Sequence, residues 1–261
     1  MHNFKCFLSY CIMPKRVIKS KRVKKTKKLK AGIKNVEKRK IGSKIEKKQR
    51  LKAILFDMDS TLLRLDVDWK ALTERIDKKY FGGRFSKLSP HQFFILYFYT
   101  LKDKLSKSDQ KAIYNFRLKA ELKGVETSFC FPYIPLIKEL GKNYKIGVIS
   151  NNYSKTIEKA LKHCGLLDYI DIYVSVEMSG LPKPSTKPID YALKELNVKQ
   201  SEAVFVGDHP DDILSGKRAG VKTIGVLTES YKDTIKIVDP DLIVKDLRDL
   251  KKKLKKVFPK S

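Results

Sequence analysis

From Leu51 onward, short apolar runs alternate with amphipathic stretches of about 10 to 15 residues, and few folds accommodate that rhythm. KAILFDMD, YKIGVISNN (144–152), YIDIYVSVEM, AVFVGD (203–208), KTIGVLT and DLIV are of strand length. Between them lie helical segments. One surrounds Ile134 to Lys142, and SKTIEKALKHCGLL follows with Ser154 as N-terminal cap and Gly165 as stop. KPIDYALKELNV, DDILSGKRAGV closed by Gly220, and the basic DLRDLKKKLKKV complete the series. Strands separated by helices of this length imply βαβ units and a parallel sheet, in which ligands sit beyond the carboxyl ends of the strands. The expected fold class is therefore α/β, with a Rossmann-like parallel sheet core.

The alternation stops between about Leu62 and Pro132. WKALTERIDKKYF, SPHQFFILYFYTLKDKL (with Ser89 and Pro90 as start signals) and SKSDQKAIYNFRLKAELKG all read as helices. This divides the chain into a core made of 51–61 and 133–261, a helical cap insert at 62–132, and a tail at 1–50. The tail carries 19 Lys or Arg against two Glu, which is +17 of the formal net charge of +28. From residue 13 to 50 it lacks aromatics and a sustained apolar stripe, so disorder or marginal helix is expected. Two readings stand for it: an arm contacting nucleic acid or acidic surfaces, or a solvated solubility tail.

FLSYCIM is too short to span a membrane and lacks a cleavage pattern, and FFILYFYTL (93–101) is also too short. No membrane partner or signal peptide is expected, and Met1 and Met13 are both candidate starts. The four cysteines contain no CxxC, and the four histidines complete no zinc spacing. His2, Cys6 and Cys11 read as incidental neighbours in the tail. This usage points to a reducing, cytoplasmic setting.

The chemistry gathers at strand ends. The first strand finishes in Asp57 and Asp59, two carboxylates one residue apart, whose repulsion is unfavourable unless a cation or solvent relieves it. The second ends in Ser150 and Asn151. The loop after the third, LPKPSTKP, holds Lys183, and Lys187 also precedes a proline. The fourth ends in GDHPDD, with Asp208, Asp211 and Asp212. A parallel sheet brings these ends to one edge, and an oxygen-rich site of that kind suits Mg²⁺, a hard cation that often bridges to phosphate.

In this order the motifs resemble those of the haloacid dehalogenase superfamily, in its phosphoglycolate-phosphatase-like branch. DxDx[TV] is matched by Asp57, Asp59 and Thr61, and the strand-ending Ser by Ser150 with Asn151. The Lys is matched by Lys183 with Pro184, and GDxxxD by Gly207, Asp208 and Asp212, a spacing that selects Asp212 over Asp211. Asn152 stands where relatives often have Gly.

The resemblance implies a Mg²⁺-dependent phosphatase that acts on a small phosphorylated metabolite through an aspartyl-phosphate. Asp57 would be the nucleophile and Asp59 the acid and base. Ser150, Asn151 and Lys183 would hold the phosphoryl oxygens. Asp57, the Met58–Asp59 carbonyl region, Asp208 and Asp212 would hold the metal. The carboxylate at position 59 favours phosphoryl chemistry over dehalogenation. The insert would close over the substrate, with Arg64, Lys70, Arg75, Arg84 and Arg117 as candidates for a second anionic group. The alternatives are a phosphomutase or nucleotide phosphatase on the same fold, or a nucleic-acid-binding protein that uses the tail.

Overall fold

Residues 53 to 57 are apolar up to a terminal Asp, and each of them is buried, as a strand covered on both faces requires. The computed structural model describes residues 50–258. The tail and its His2, Cys6 and Cys11 lie outside the described residues, apart from Arg50.

The strands are β1 (Ala53–Asp57), β2 (Leu63–Arg64), β3 (Phe129–Cys130), β4 (Lys145–Ile149), β5 (Ile172–Val174), β6 (Ala203–Gly207), β7 (Lys222–Val226) and β8 (Leu242–Val244). Six of them form one parallel sheet in the order β5-β4-β1-β6-β7-β8. The sheet has a hydrophobic cluster on each face. Ile54 and Phe56 of β1 pack with Ile146, Val148, Val204 and Val206, while Ala53 and Leu55 pack with Val174, Ile189, Leu193 and Phe205. Each buried Val, Leu, Ile or Phe among them contributes on the order of 1.5–3 kcal/mol.

Between β1 and β4 lie helices Trp69–Phe81, Pro90–Leu96 and Lys107–Glu126. They enclose a third cluster of Leu72, Ile76, Phe93, Tyr97, Leu101 and Ile113. Ser89 and Pro90 start their helix as expected, and Ser89 and Gln92 form a reciprocal capping box. The helix does not run on to Leu105. It passes into π geometry at Tyr97–Leu101 and a 3₁₀ turn at Lys102–Lys104. At the base of the insert, β2 and β3 pair antiparallel, an element that the helical pattern of 62–132 does not reveal.

Other local expectations differ in detail. YIDIYVSVEM is strand only over Ile172–Val174. Ser175 then caps a helical turn, Val176–Ser179, by accepting from the Met178 N–H at 3.2 Å. Ser154 does not cap its helix, because Tyr153 occupies that position. The Ser154 N–H donates instead to Glu177 Oε2 at 2.6 Å. Cysteine usage points to a reducing compartment in the sequence, but the structure joins Cys130 and Cys164 in a disulfide, which removes that argument. Among the described residues no helix is long and apolar enough to cross a membrane.

Candidate active site

Because β1 is central, flanked by β4 and β6, its last residue faces the ends of both neighbours. Asp57 is that residue, and it is buried. The chain then turns sharply. Ser60 adopts a positive φ of 65°, and its N–H donates to the Leu63 carbonyl at 2.6 Å. The turn holds Asp59 half-buried, with Oδ1 accepting from the Leu65 N–H at 3.0 Å. Burial pushes the Asp59 carboxyl up to about 6, against the lowering effect of the Leu65 and Ser60 N–H groups.

At the end of β4, the Ser150 hydroxyl donates to Asn152 Oδ1 at 3.0 Å and accepts from the Asn152 N–H at 3.2 Å. Asn152 thus fixes the serine rotamer. Asn151 ties this strand end to the following loop: its Oδ1 accepts from the Lys183 N–H at 2.8 Å and its Nδ2 donates to the Lys183 carbonyl at 3.4 Å. The Lys183–Pro184 peptide is cis.

Lys183 is buried, and its ammonium donates to Asp57 Oδ1, to Asp212 Oδ1 at 2.6 Å and to the Ile149 carbonyl at 3.4 Å. Lys187, also before a proline, is exposed. Asp212 is likewise the carboxylate that enters the cluster, with its Oδ2 accepting from the His209 N–H at 2.9 Å. Asp208 accepts from Thr61 Oγ1 at 3.1 Å and from Thr228 Oγ1 at 3.3 Å. Neither threonine's bond is legible from the motif spacing alone.

Asp57, Asp208 and Asp212 each offer an oxygen within 4.8 Å of the others, whereas the Asp59 side chain is not one of that group. Three buried carboxylates face one ammonium, which would leave an excess of two negative charges with all of them ionised. Burial and this excess of charge together shift the groups of the cluster. Burial raises Asp57 well above the carboxylate range despite Lys183, with Asp212 and Asp208 adding to the rise. Burial and the Asp212 charge push Asp208 up to about 7. Burial alone would lower the Lys183 ammonium, but Asp212 and Asp57 raise it. An all-oxygen donor set with this charge deficit fits a hard divalent cation such as Mg²⁺.

Arg64, Lys70, Arg75 and Arg84 are exposed, whereas Arg117 is buried. Its Nε donates to Glu121 Oε1 at 2.6 Å and its Nη2 to the Asn151 carbonyl at 2.7 Å. Trp69, Phe94, Phe98 and Tyr153 surround the guanidinium. Glu121 in turn accepts from the Thr156 hydroxyl at 2.6 Å and the Tyr153 N–H at 3.2 Å. The insert thereby holds the loop after β4 directly. An i, i+4 Arg–Glu pair on a polar helix reads as solvated in sequence, so this contact was not foreseeable there.

Gly207 makes the approach of Asp212 feasible, since a Cβ at this position would lie 2.3 Å from Asp212 Oδ2. Gly207→Ala is expected to displace that carboxylate and destabilise the protein by about 1–3 kcal/mol, seen as a lower urea midpoint.

The chain is similar to known proteins in sequence and in fold. The profile of the family described as haloacid dehalogenase-like hydrolase matches residues 54–226. Pyrophosphatase PpaX of Oceanobacillus iheyensis is 30% identical over 210 residues, covering 77% of this chain and 95% of its own. A structure described as a predicted phosphoglycolate phosphatase, from Haemophilus somnus 129PT, superposes with a TM-score of 0.58 at 19% identity, covering 77% of this chain and 97% of its own. YfnB of Bacillus subtilis, solved bound to magnesium, gives a TM-score of 0.53 at 20% identity, with 79% and 99% covered.

Proposed function

The chain belongs to the haloacid dehalogenase-like hydrolase family, and from that premise we propose that it is a Mg²⁺-dependent phosphatase of a small phosphorylated compound. Inorganic pyrophosphate and phosphoglycolate-like or sugar phosphate monoesters are the substrates to compare. The observation that carries the reading is the Lys183 ammonium. It bonds both Asp57 and Asp212, and so draws three of the sequence motifs into one buried cluster.

In the proposed reaction an Asp57 carboxylate oxygen attacks phosphorus while the bond to the leaving oxygen breaks, giving an aspartyl-phosphate. Asp59 gives its proton to the leaving oxygen. It then takes a proton from the attacking water, whose oxygen displaces Asp57 as free carboxylate and releases phosphate. Ser150, the Asn151 N–H and Lys183 hold the phosphoryl oxygens as charge develops on them. Asp57, Asp208 and Asp212 would hold the Mg²⁺, which when bound offsets the negative charge of the substrate.

The test is phosphate release from a panel of pyrophosphate, phosphoglycolate and sugar phosphates. Turnover is expected with Mg²⁺ and should vanish with EDTA. Isomerised product without free phosphate would identify a phosphomutase and overturn the reading. The basic tail's proposed contact with nucleic acid or acidic surfaces stands apart from this chemistry, since every motif begins after Leu51.

A further inference from the structure

His91, His209 and Asp211 form a second cluster with no part in the proposed reaction. Each offers a ligand atom within 4.8 Å of the other two. They come from two parts of the fold: His91 from the Pro90–Leu96 helix of the insert, His209 and Asp211 from the loop and helix start after β6. All three are half-buried.

The contact between His91 and Asp211 is unusual. His91 Nε2 lies 2.9 Å from Asp211 Oδ2, a hydrogen-bond distance. Yet Oδ2 is buried and no hydrogen bond of good geometry satisfies it, although despite that burial His91 lies close enough to lower the Asp211 carboxyl. With Nε2 unprotonated, the two atoms repel each other at that separation, and a cation shared between them relieves the repulsion. His209 is the third donor. Its Nδ1 accepts from the Asp211 N–H at 3.1 Å, which marks Nδ1 as the unprotonated nitrogen. The rings of His91 and His209 stand 4.4 Å apart, centroid to centroid, and Tyr231 packs edge-on against His209 at the same distance.

We propose that His91, His209 and Asp211 constitute a site for a divalent transition metal of the Zn²⁺ class, bridging the helical insert and the sheet core. Two imidazoles and one carboxylate are borderline donors, which suit Zn²⁺ or Co²⁺ better than Mg²⁺. Metal–ligand bonds of about 2.0–2.2 Å place the ligand atoms of a tetrahedral site roughly 3.3–3.6 Å apart. The ligand atoms lie within 4.8 Å of one another with no ion bound. Three protein ligands leave a fourth position for water. Metal ligation at His209 Nδ1 replaces one hydrogen bond from the Asp211 N–H. The site differs in chemistry from the all-oxygen cluster of Asp57, Asp208 and Asp212, so one solution can load each with its own ion.

The test is a Co²⁺ titration of the full chain with Mg²⁺ saturating. Wild type is expected to bind one Co²⁺ with the intense visible absorption of a four-coordinate ion, and Zn²⁺ should displace it. His91→Ala should abolish the band and weaken binding at least about a hundredfold, since loss of a ligand exceeds the 10–100-fold effect typical of second-shell changes. His163→Ala, at an exposed histidine, should leave both unchanged, and the difference between variants cancels any metal held by His2, Cys6 or Cys11. Should His91→Ala lose its circular dichroism signature, His91→Gln serves in its place. Absence of the band in wild type, or an equal band and affinity in the His91 variant, would overturn the proposal.

Discussion

Asp57→Asn is expected to lower phosphate release by at least about 10⁴-fold, the scale on which loss of a nucleophile acts. The protein should remain folded. The substitution removes a buried negative charge from a cluster that carries an excess of them, and Asn keeps the shape. Turnover, with Mg²⁺ present, is therefore the readout, and an unchanged urea midpoint is the control that assigns the loss to chemistry. A variant that retained a tenth of wild-type turnover would remove Asp57 from the nucleophile role. Asp59→Asn should cost less, on the order of 10²–10⁴-fold, as expected for a lost acid–base group.

Lys183→Met is expected to produce the largest loss of stability, about 3–5 kcal/mol. It leaves the buried carboxylates of Asp57 and Asp212 without their shared cation. The Met side chain fills comparable space, so a cavity does not account for the effect. Urea unfolding in EDTA isolates the ammonium, because no added cation then offsets the charge. Lys187→Met is the matched control: this lysine also precedes a proline but is exposed, and its change should stay within about 0.5 kcal/mol. Equal midpoints for the two variants would show that Lys183 does not hold the cluster together.

These two lysines differ in where the fold puts them, buried for Lys183 and exposed for Lys187. Lys183 lies beside the cis proline bond and four residues before Lys187, and motif order singled it out. The GDxxxD spacing selects Asp212 over Asp211, and Asp212 accepts from Lys183. The parallel sheet followed from the strand–helix rhythm, because that rhythm is a local property of the chain. What escaped depends on distant partners. Thr228 meets Asp208 across the ends of β6 and β7, and Arg117 meets the Asn151 carbonyl from the insert. His91 meets Asp211 across 120 residues of sequence that no zinc spacing spans. The π-helical stretch at Tyr97–Leu101 and the short β2–β3 pair also arise from tertiary packing, which overrides the helical propensity of their segments.

The place of β1 also bears on how the chain is made. The first of the described strands to be synthesised, it ends up at the middle of the sheet, with Ala53 paired to Lys145 on one side and to Ala203 on the other. A ribosome adding about 5–20 residues per second takes roughly 8 to 30 seconds to pass from the first of these residues to the last. Throughout that interval AILFD is an apolar strand with at least one open edge, the kind of segment that recruits other chains or chaperones. The helical insert emerges in the meantime with a hydrophobic cluster of its own. It can gain order before the sheet does, and the nascent chain then carries a partly built roof ahead of the floor beneath it. Biosynthesis, rather than the finished fold, is where this protein is most exposed to aggregation.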